Sequence, residues 1–218
     1  MNGLVLEQVS IQVGGHRLFE GFDLIVPPGD ITTIMGPSGC GKSSLLSLIC
    51  GTLEPMFETG GAVRLDGRDI GDLSPEHRRI GILFQDDLLF PHLSVSENLL
   101  FALPSDIRPK CERLQRVDAA LAEADLEGFA DRDPASLSGG QRARVALMRT
   151  LLAAPRCLLL DEPFGKLDRD LRERVRRFVF DHARDAGLPT LLVTHEAGDA
   201  EAAAGPVISL DGGHGGVA

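Results

Sequence analysis

The residues at 36–44 have the clearest capacity for chemistry in this sequence. They read Gly-Pro-Ser-Gly-Cys-Gly-Lys-Ser-Ser and match the G-x-x-x-x-G-K-[ST] pattern of a phosphate-binding loop. A β-branched, apolar stretch at 31–35 precedes the loop and an apolar-periodic stretch at 44–50 follows it, as the strand and helix of this motif require. The pattern predicts a nucleoside triphosphate site, with Lys42 reaching the β- and γ-phosphates and the Ser43 hydroxyl binding Mg²⁺. The candidate loop residues are Gly36, Pro37, Ser38, Gly39, Cys40, Gly41, Lys42, Ser43 and Ser44.

A second candidate anion site lies at 137–141, which reads Leu-Ser-Gly-Gly-Gln. The segment at 142–153 that follows contains no Gly or Pro and is predicted to be helical. Ser138 suits the N-cap position, and Gly139 and Gly140 leave backbone N–H groups exposed where a helix begins. Taken alone, this stretch fits an ordinary capped helix equally well.

Two carboxylates, Asp161 and Glu162, follow the apolar run 157–160, in a segment that starts with Arg156, fifteen residues after Gln141. Adjacent residues at a strand end point to different faces, so one carboxylate can serve a metal ion and the other a water molecule. A solvated turn before Pro163 is the alternative for this pair.

The composition excludes some function classes. The chain has 218 residues, of which 43% are hydrophobic, and a formal net charge of −10 that argues against a nucleic-acid-binding protein. Its four cysteines lack metal-binding spacing and suit a reducing compartment. No stretch has the pattern of a signal peptide or the ~20 apolar residues of a membrane span. We therefore expect a cytosolic chain that reaches a membrane through a partner.

Taken together, these motifs resemble those of the ATP-binding-cassette (ABC) ATPases, and the resemblance covers nearly the whole chain. Six motifs stand in the family's order. They are the phosphate loop, Gln85 after the apolar stretch 80–84, the Leu-Ser-Gly-Gly-Gln stretch, Asp161-Glu162, Leu167-Asp168, and His195 after the apolar stretch 190–194.

The resemblance implies an α/β fold of the P-loop NTPase class. We expect a RecA-like core, an N-terminal antiparallel β-subdomain and an inserted helical subdomain within a single ABC ATPase domain at 1–218. The core and β-subdomain should comprise 1–85 and 156–218, and the helical subdomain with the Leu-Ser-Gly-Gly-Gln stretch should comprise 86–155. Before residue 85 the patterning predicts strands at 4–9, 22–26, 31–35, 62–65 and 80–84.

ATP and Mg²⁺ are the ligands that the resemblance implies. Asp161, together with Ser43 and Gln85, would bind Mg²⁺, and Glu162 would polarise the attacking water. Gln85 would also touch that water, and His195 would contact the γ-phosphate and orient the glutamate. From the residues alone, Gln85 also fits a polar strand end and His195 a core histidine.

The resemblance further implies a head-to-tail homodimer, in which the Leu-Ser-Gly-Gly-Gln stretch covers ATP held by the other copy. Ser138, Gly139, Gly140 and Gln141 then contact nucleotide in trans, and Asp168 works across the same interface. Three positions depart from the family's pattern. Val13 stands where the family usually stacks adenine on an aromatic residue, while Phe19 is expected in the core. Lys166 replaces a frequent Ala, and Glu196 a commoner Asp.

The segment at 86–100 looks like that of importer ATPases of the thiamine, polyamine, sulfate and ferric-iron type, where this region receives a short permease helix. We therefore expect an ATP-hydrolysing importer subunit, peripheral on the cytoplasmic side of the inner membrane. Its expected partners are integral membrane permease subunits and a periplasmic or surface substrate-binding protein. The alternatives are a non-transport ABC protein acting as a nucleotide-gated switch, or the ATPase of an exporter or lipoprotein-releasing complex. The sequence does not encode the transported substrate.

Overall fold

The computed structural model describes residues 3–210, and these divide into two compact units. The first unit comprises 3–80, 156–162 and 180–210, and the second comprises 81–155 and 163–179. In chain order the elements are β1 (Leu4–Val13), β2 (His16–Val26), β3 (Ile31–Met35), α1 (Lys42–Cys50), β4 (Phe57–Leu65), β5 (Arg68–Asp69), α2 (Pro75–Arg78), β6 (Ile80–Phe84), α3 (Val95–Ala102), α4 (Lys110–Glu123), α5 (Gly139–Leu152), β7 (Cys157–Asp161), α6 (Arg169–Asp185), β8 (Thr190–Thr194), α7 (Ala197–Ala203) and β9 (Val207–Ser209).

The first unit contains a parallel sheet in which β7, β8, β3 and β9 lie side by side in that order. The strands β7, β8 and β3 are almost continuously buried and consist mainly of apolar residues and threonine, because a parallel strand is covered on both faces. The phosphate loop follows β3, and Asp161 and His195 stand at the ends of β7 and β8. Parallel pairing therefore brings the three functional segments to one edge of the sheet.

The same unit contains an antiparallel sheet of order β2-β1-β4-β5. Three of its strands are longer than the patterning predicted, because β1 continues to Val13, β2 begins at His16 and β4 begins at Phe57. The extra lengths are paired, although the register of β1 against β4 shifts between Glu7 and Ser10, opposite the glycines of β4. The register of β1 against β2 also shifts after Leu6. Such a bulge breaks the alternation on which the sequence prediction relied.

The second unit is mainly helical. Its core is formed by one apolar face of each of α3, α4 and α5, and Val95, Leu99, Val117, Leu121 and Val145 are fully or almost fully buried in it. Both α3 and α5 begin with a reciprocal serine capping box, which fixes where each helix starts.

Candidate functional site

The phosphate loop leaves the start of α1 open to an anion. Gly41 precedes the helix with a φ of 96°, a conformation that favours glycine, and a Cβ there would lie 2.9 Å from the Phe19 ring. No side chain caps α1, whereas serine side chains cap α3 and α5 of the second unit. The first turn of α1 also carries no acidic residue. The unpaired N–H groups and the helix dipole therefore point at one concave site.

Lys42 is held within this loop. Its side chain is 7% exposed, and Nζ donates to the carbonyl oxygens of Gly36 and Pro37, each at 2.8 Å. These acceptors carry no formal charge, so neither of them offsets the positive charge that an incoming phosphate would meet.

Asp161 faces the phosphate loop from the end of β7. Burial raises the pKa of its carboxyl and the neighbouring Glu162 raises it further, whereas the Lys42 charge and a hydrogen bond from the Ser43 hydroxyl oppose the rise. The Asp161–Ser43 contact joins a carboxylate and a hydroxyl, which are oxygen ligands suited to Mg²⁺.

Glu162 and His195 form the second part of the site. His195 Nδ1 lies 3.2 Å from Glu162 Oε1. Glu162 has a φ of 47°, which is uncommon for a residue with a side chain, and its N–H donates to the Val193 carbonyl at 2.9 Å. Strained backbone of this kind occurs where a side chain must be aimed.

A buried hydrogen-bond pair supports the turn that carries His195. The Thr194 hydroxyl donates to Asp199 Oδ2 at 2.9 Å and accepts from the Glu196 N–H at 3.1 Å. Asp199 is only 2% exposed. The histidine therefore leaves β8 from a turn that is fixed on both sides.

A cavity of about 320 Å³ lies between the phosphate loop and Glu162. Phosphate-loop residues and Glu162 line part of it, and Val13, Leu18 and Phe57 line the rest. Val13 thus lies at the site, as its place in the motif order implied, whereas Leu18 and Phe57 were missed. Phe19 is 6% exposed, as expected for a core residue.

The remaining predicted site residues lie in the second unit. Gln85 lines a separate cavity of about 640 Å³, together with Gly139. Ser138 has the predicted N-cap position, and its hydroxyl accepts from the Gln141 N–H at 3.3 Å. Asp168 accepts a hydrogen bond from the Leu171 N–H at 3.0 Å, near the start of α6.

The two glycines of the Leu-Ser-Gly-Gly-Gln stretch have different surroundings. A Cβ at Gly140 would lie 2.4 Å from Leu171 Cδ1, whereas at Gly139 the nearest atom would be Leu167 Cδ2 at 3.7 Å. Packing therefore demands glycine at 140 but not at 139.

The segment after Gln85 is held by cations. Lys166 pairs with Asp86, so this departure from the family's pattern has a partner. Arg142 Nε lies 2.9 Å from Asp87 Oδ2, and Arg149 donates to the Leu88 carbonyl at 2.7 Å. Since both arginines belong to α5, the helix that follows Ser138 also fixes the backbone that follows Gln85.

Comparison with known proteins identifies the family. The model of the ABC transporter family matches residues 19–165. The chain belongs to the ABC transporter family. The predicted membership and ABC-type ATPase activity are thereby confirmed, and with them the binding of ATP.

The cassette is similar to several curated ATP-binding proteins. It is 47% identical over 199 residues, 91% of each chain, to the uncharacterized ABC transporter ATP-binding protein YnjD of Escherichia coli (strain K12). It is 38% identical to two other proteins of that organism, the Fe(3+) ions import protein FbpC over 213 residues and the putrescine transport protein PotG over 210 residues. These matches cover 98% and 96% of this chain but only 60% and 55% of those two relatives.

A solved structure supports the fold. The dimeric structure of MJ0796, a bacterial ABC transporter cassette, aligns with a TM-score of 0.79 and 31% identity, covering 97% of this chain and 96% of that one. The predicted P-loop NTPase fold is confirmed.

Proposed function

We propose that this cassette is the ATP-hydrolysing subunit of a bacterial importer and that Glu162 is its general base. The observation that carries the assignment is the Glu162–His195 contact of 3.2 Å beside the phosphate-loop cavity. Phosphoryl transfer to water requires charge neutralisation on the phosphates and an oriented water, more than covalent chemistry. Lys42 and the loop amides provide the first, and Glu162 the second.

In this mechanism the chain's own groups hold the substrate and move one proton. The amides at the start of α1 and Lys42 Nζ bind the phosphates. Lys42 Nζ then donates to charged phosphate oxygens in place of the Gly36 and Pro37 carbonyls. Glu162 accepts the proton of the attacking water, and His195 keeps the carboxylate aimed. The roles predicted for Gln85 and Asp168 stay predictions.

Magnesium fits the residues present. Within residues 3–210 no three His, Cys, Asp or Glu side chains group closely enough to hold a metal ion. A Mg²⁺ site of this kind needs only one or two protein oxygens beside the substrate phosphates. Ser43 and Asp161 would provide these oxygens, and the ion when bound would neutralise charge on the β- and γ-phosphates.

We further propose that the cassette works as a head-to-tail homodimer. Ser138 and Gly140 of one copy would then cover the nucleotide bound at the phosphate loop of the other. The dimeric state of the related bacterial cassette supports this arrangement. Gly139 provides the cleanest probe, because packing does not require glycine there.

An importer role, peripheral on the cytoplasmic face of the cell membrane, is favoured by the Fe(3+) import name of one relative and is compatible with the putrescine transport name of another. Every helix within residues 3–210 is too short or too polar to span a bilayer. We assign the contact with permease subunits to the cavity lined by Gln85 and the segment after it, in which Leu88 is 57% exposed. A substrate-binding protein would deliver the cargo to the permease.

The test is an ATP-trapped dimer. Glu162→Gln should bind Mg·ATP and elute at twice the mass of the 23.4 kDa chain in size exclusion with light scattering. Adding Gly139→Ala should abolish the dimer without lowering the melting temperature, since the new methyl group meets the nucleotide and not the fold. The matched control is Glu201→Gln, an exposed glutamate of the first unit, which should not trap a dimer. A monomeric Glu162→Gln variant with bound ATP would reject the head-to-tail assignment.

A further inference from the structure

One wall of the phosphate-loop cavity is apolar and aromatic. Val13, Leu18 and Phe57 line it, whereas Ser38, Lys42, Ser43 and Ser44 line the part formed by the loop. Val13 is the last residue of β1, Leu18 lies near the start of β2, and Phe57 is the first residue of β4. A nucleoside triphosphate has the same division, because its phosphates are charged and its base has an apolar face.

Phe57 is the aromatic side chain in this wall. It is the cross-strand partner of Val13 in the β1–β4 pairing, so the two residues enter the cavity from adjacent strands. Phe57 is only partly buried, which leaves ring surface accessible. Phe19 does not compete for this role, because its buried ring packs beneath Gly41 and edge-on against Phe22, with ring centroids 5.3 Å apart.

We propose that Phe57 is the residue on which the nucleotide base stacks, with Val13 and Leu18 completing the apolar wall. The inference rests on the proposed binding of ATP at the phosphate loop. Stacking of a base on an aromatic ring is indifferent to the identity of the base, because every base has a π-face. The wall residues carry no polar side chains, so ATP and GTP should bind with dissociation constants within about threefold of each other.

The experiment separates base binding from phosphate binding. Phe57→Leu keeps an apolar side chain of similar size but removes the ring. By calorimetry it should weaken Mg·ATP binding about tenfold, in the range for loss of one base–aromatic stack. Inorganic tripolyphosphate has no base, and its affinity should stay within about twofold of wild type. Phe57→Trp should bind ATP at least as tightly as wild type, and Phe101→Leu, at an exposed ring of the second unit, should change neither affinity.

The cross-strand pairing adds a second readout. Val13→Tyr places a ring on the adjacent strand. Added to Phe57→Leu, it should restore most of the lost ATP affinity, whereas in the wild-type background it should increase ATP affinity by a smaller factor. Wild-type affinity of Phe57→Leu for ATP, or equal losses for ATP and tripolyphosphate, would overturn the assignment of Phe57. Failure of the wild-type chain to bind either ligand would instead overturn the proposed function.

Discussion

Arg78 ties the far end of the phosphate-loop helix to the loop that follows β5, and its removal should destabilise the first unit. The side chain is 6% exposed and donates four hydrogen bonds to backbone carbonyls. The acceptors are Leu48 and Ile49 at 2.7 and 3.0 Å, and Gly71 and Leu73 at 2.6 and 2.8 Å. The first two belong to the last turn of α1, where the Leu48 carbonyl also accepts from the Gly51 N–H at 3.2 Å and the helix dipole favours a cation.

The cost follows from these four bonds. Hydrogen bonds from a charged donor contribute about 1.5 kcal/mol each at the low end, or about 6 kcal/mol in all. In Arg78→Met, about half of this free energy should be recovered, because water can hydrogen-bond to some of the freed carbonyls. The variant also avoids the cost of burying a charge, the same burial that lowers the pKa of Arg78. The net loss of about 3 kcal/mol corresponds to a fall in melting temperature of roughly 6–12 °C for a chain of this size.

Circular dichroism melting of the nucleotide-free protein measures this effect. The control is Arg17→Met, which removes one exposed ion pair with Glu20 and should cost less than about 1 kcal/mol. Arg78→Lys keeps the charge but not the fork of donors, and should melt between wild type and Arg78→Met. Equal melting temperatures for Arg78→Met and Arg17→Met would refute the reasoning.

Two further predictions concern the nucleotide site. Because burial and Glu162 raise the pKa of Asp161, its ionisation opposes folding, so Asp161→Asn should raise the melting temperature of the nucleotide-free protein at pH 8. That advantage should shrink as pH falls toward the ordinary carboxyl pKa of about 4, and a constant advantage would contradict the sign. A small alkylating reagent should modify exposed Cys111 and half-buried Cys40 before Cys157, whose thiol pKa is raised by burial. Mg·ATP should protect Cys40 and not Cys111, as mass spectrometry of the labelled peptides would show.

The short, buried strands were the most predictable part of the fold. The predicted strands 31–35 and 80–84 agree with β3 and β6 to the residue, and the apolar stretch 190–194 coincides with β8. Each is a short run rich in apolar residues and is bounded by polar, glycine or proline residues. A buried strand of this kind carries its own signal. The polar residues of the site could also be predicted, since each lies at the end of such a strand or in the segment that follows it.

The apolar wall of the cavity was not predictable in the same way. The wall is formed where β1 ends and where β2 and β4 begin, and these parts of the strands contain glycines and polar residues. Their pairing depends on register shifts that no local sequence pattern predicts. Phe57 was missed because it follows Pro55 and Met56 in what looks like a turn. Its significance appears only when β4 is paired with β1. Similarly, the need for glycine at 140 comes from Leu171, thirty-one residues later.

The central claim is that Glu162, oriented by His195, activates the water that attacks the γ-phosphate. The most direct test is the single-turnover rate of γ-phosphate release at saturating Mg·ATP, measured alongside the ATP dissociation constant. We predict that Glu162→Gln slows release by at least ~10²-fold while leaving the dissociation constant within about threefold, and that Glu201→Gln changes neither. Release by Glu162→Gln within tenfold of the wild-type rate would contradict the claim.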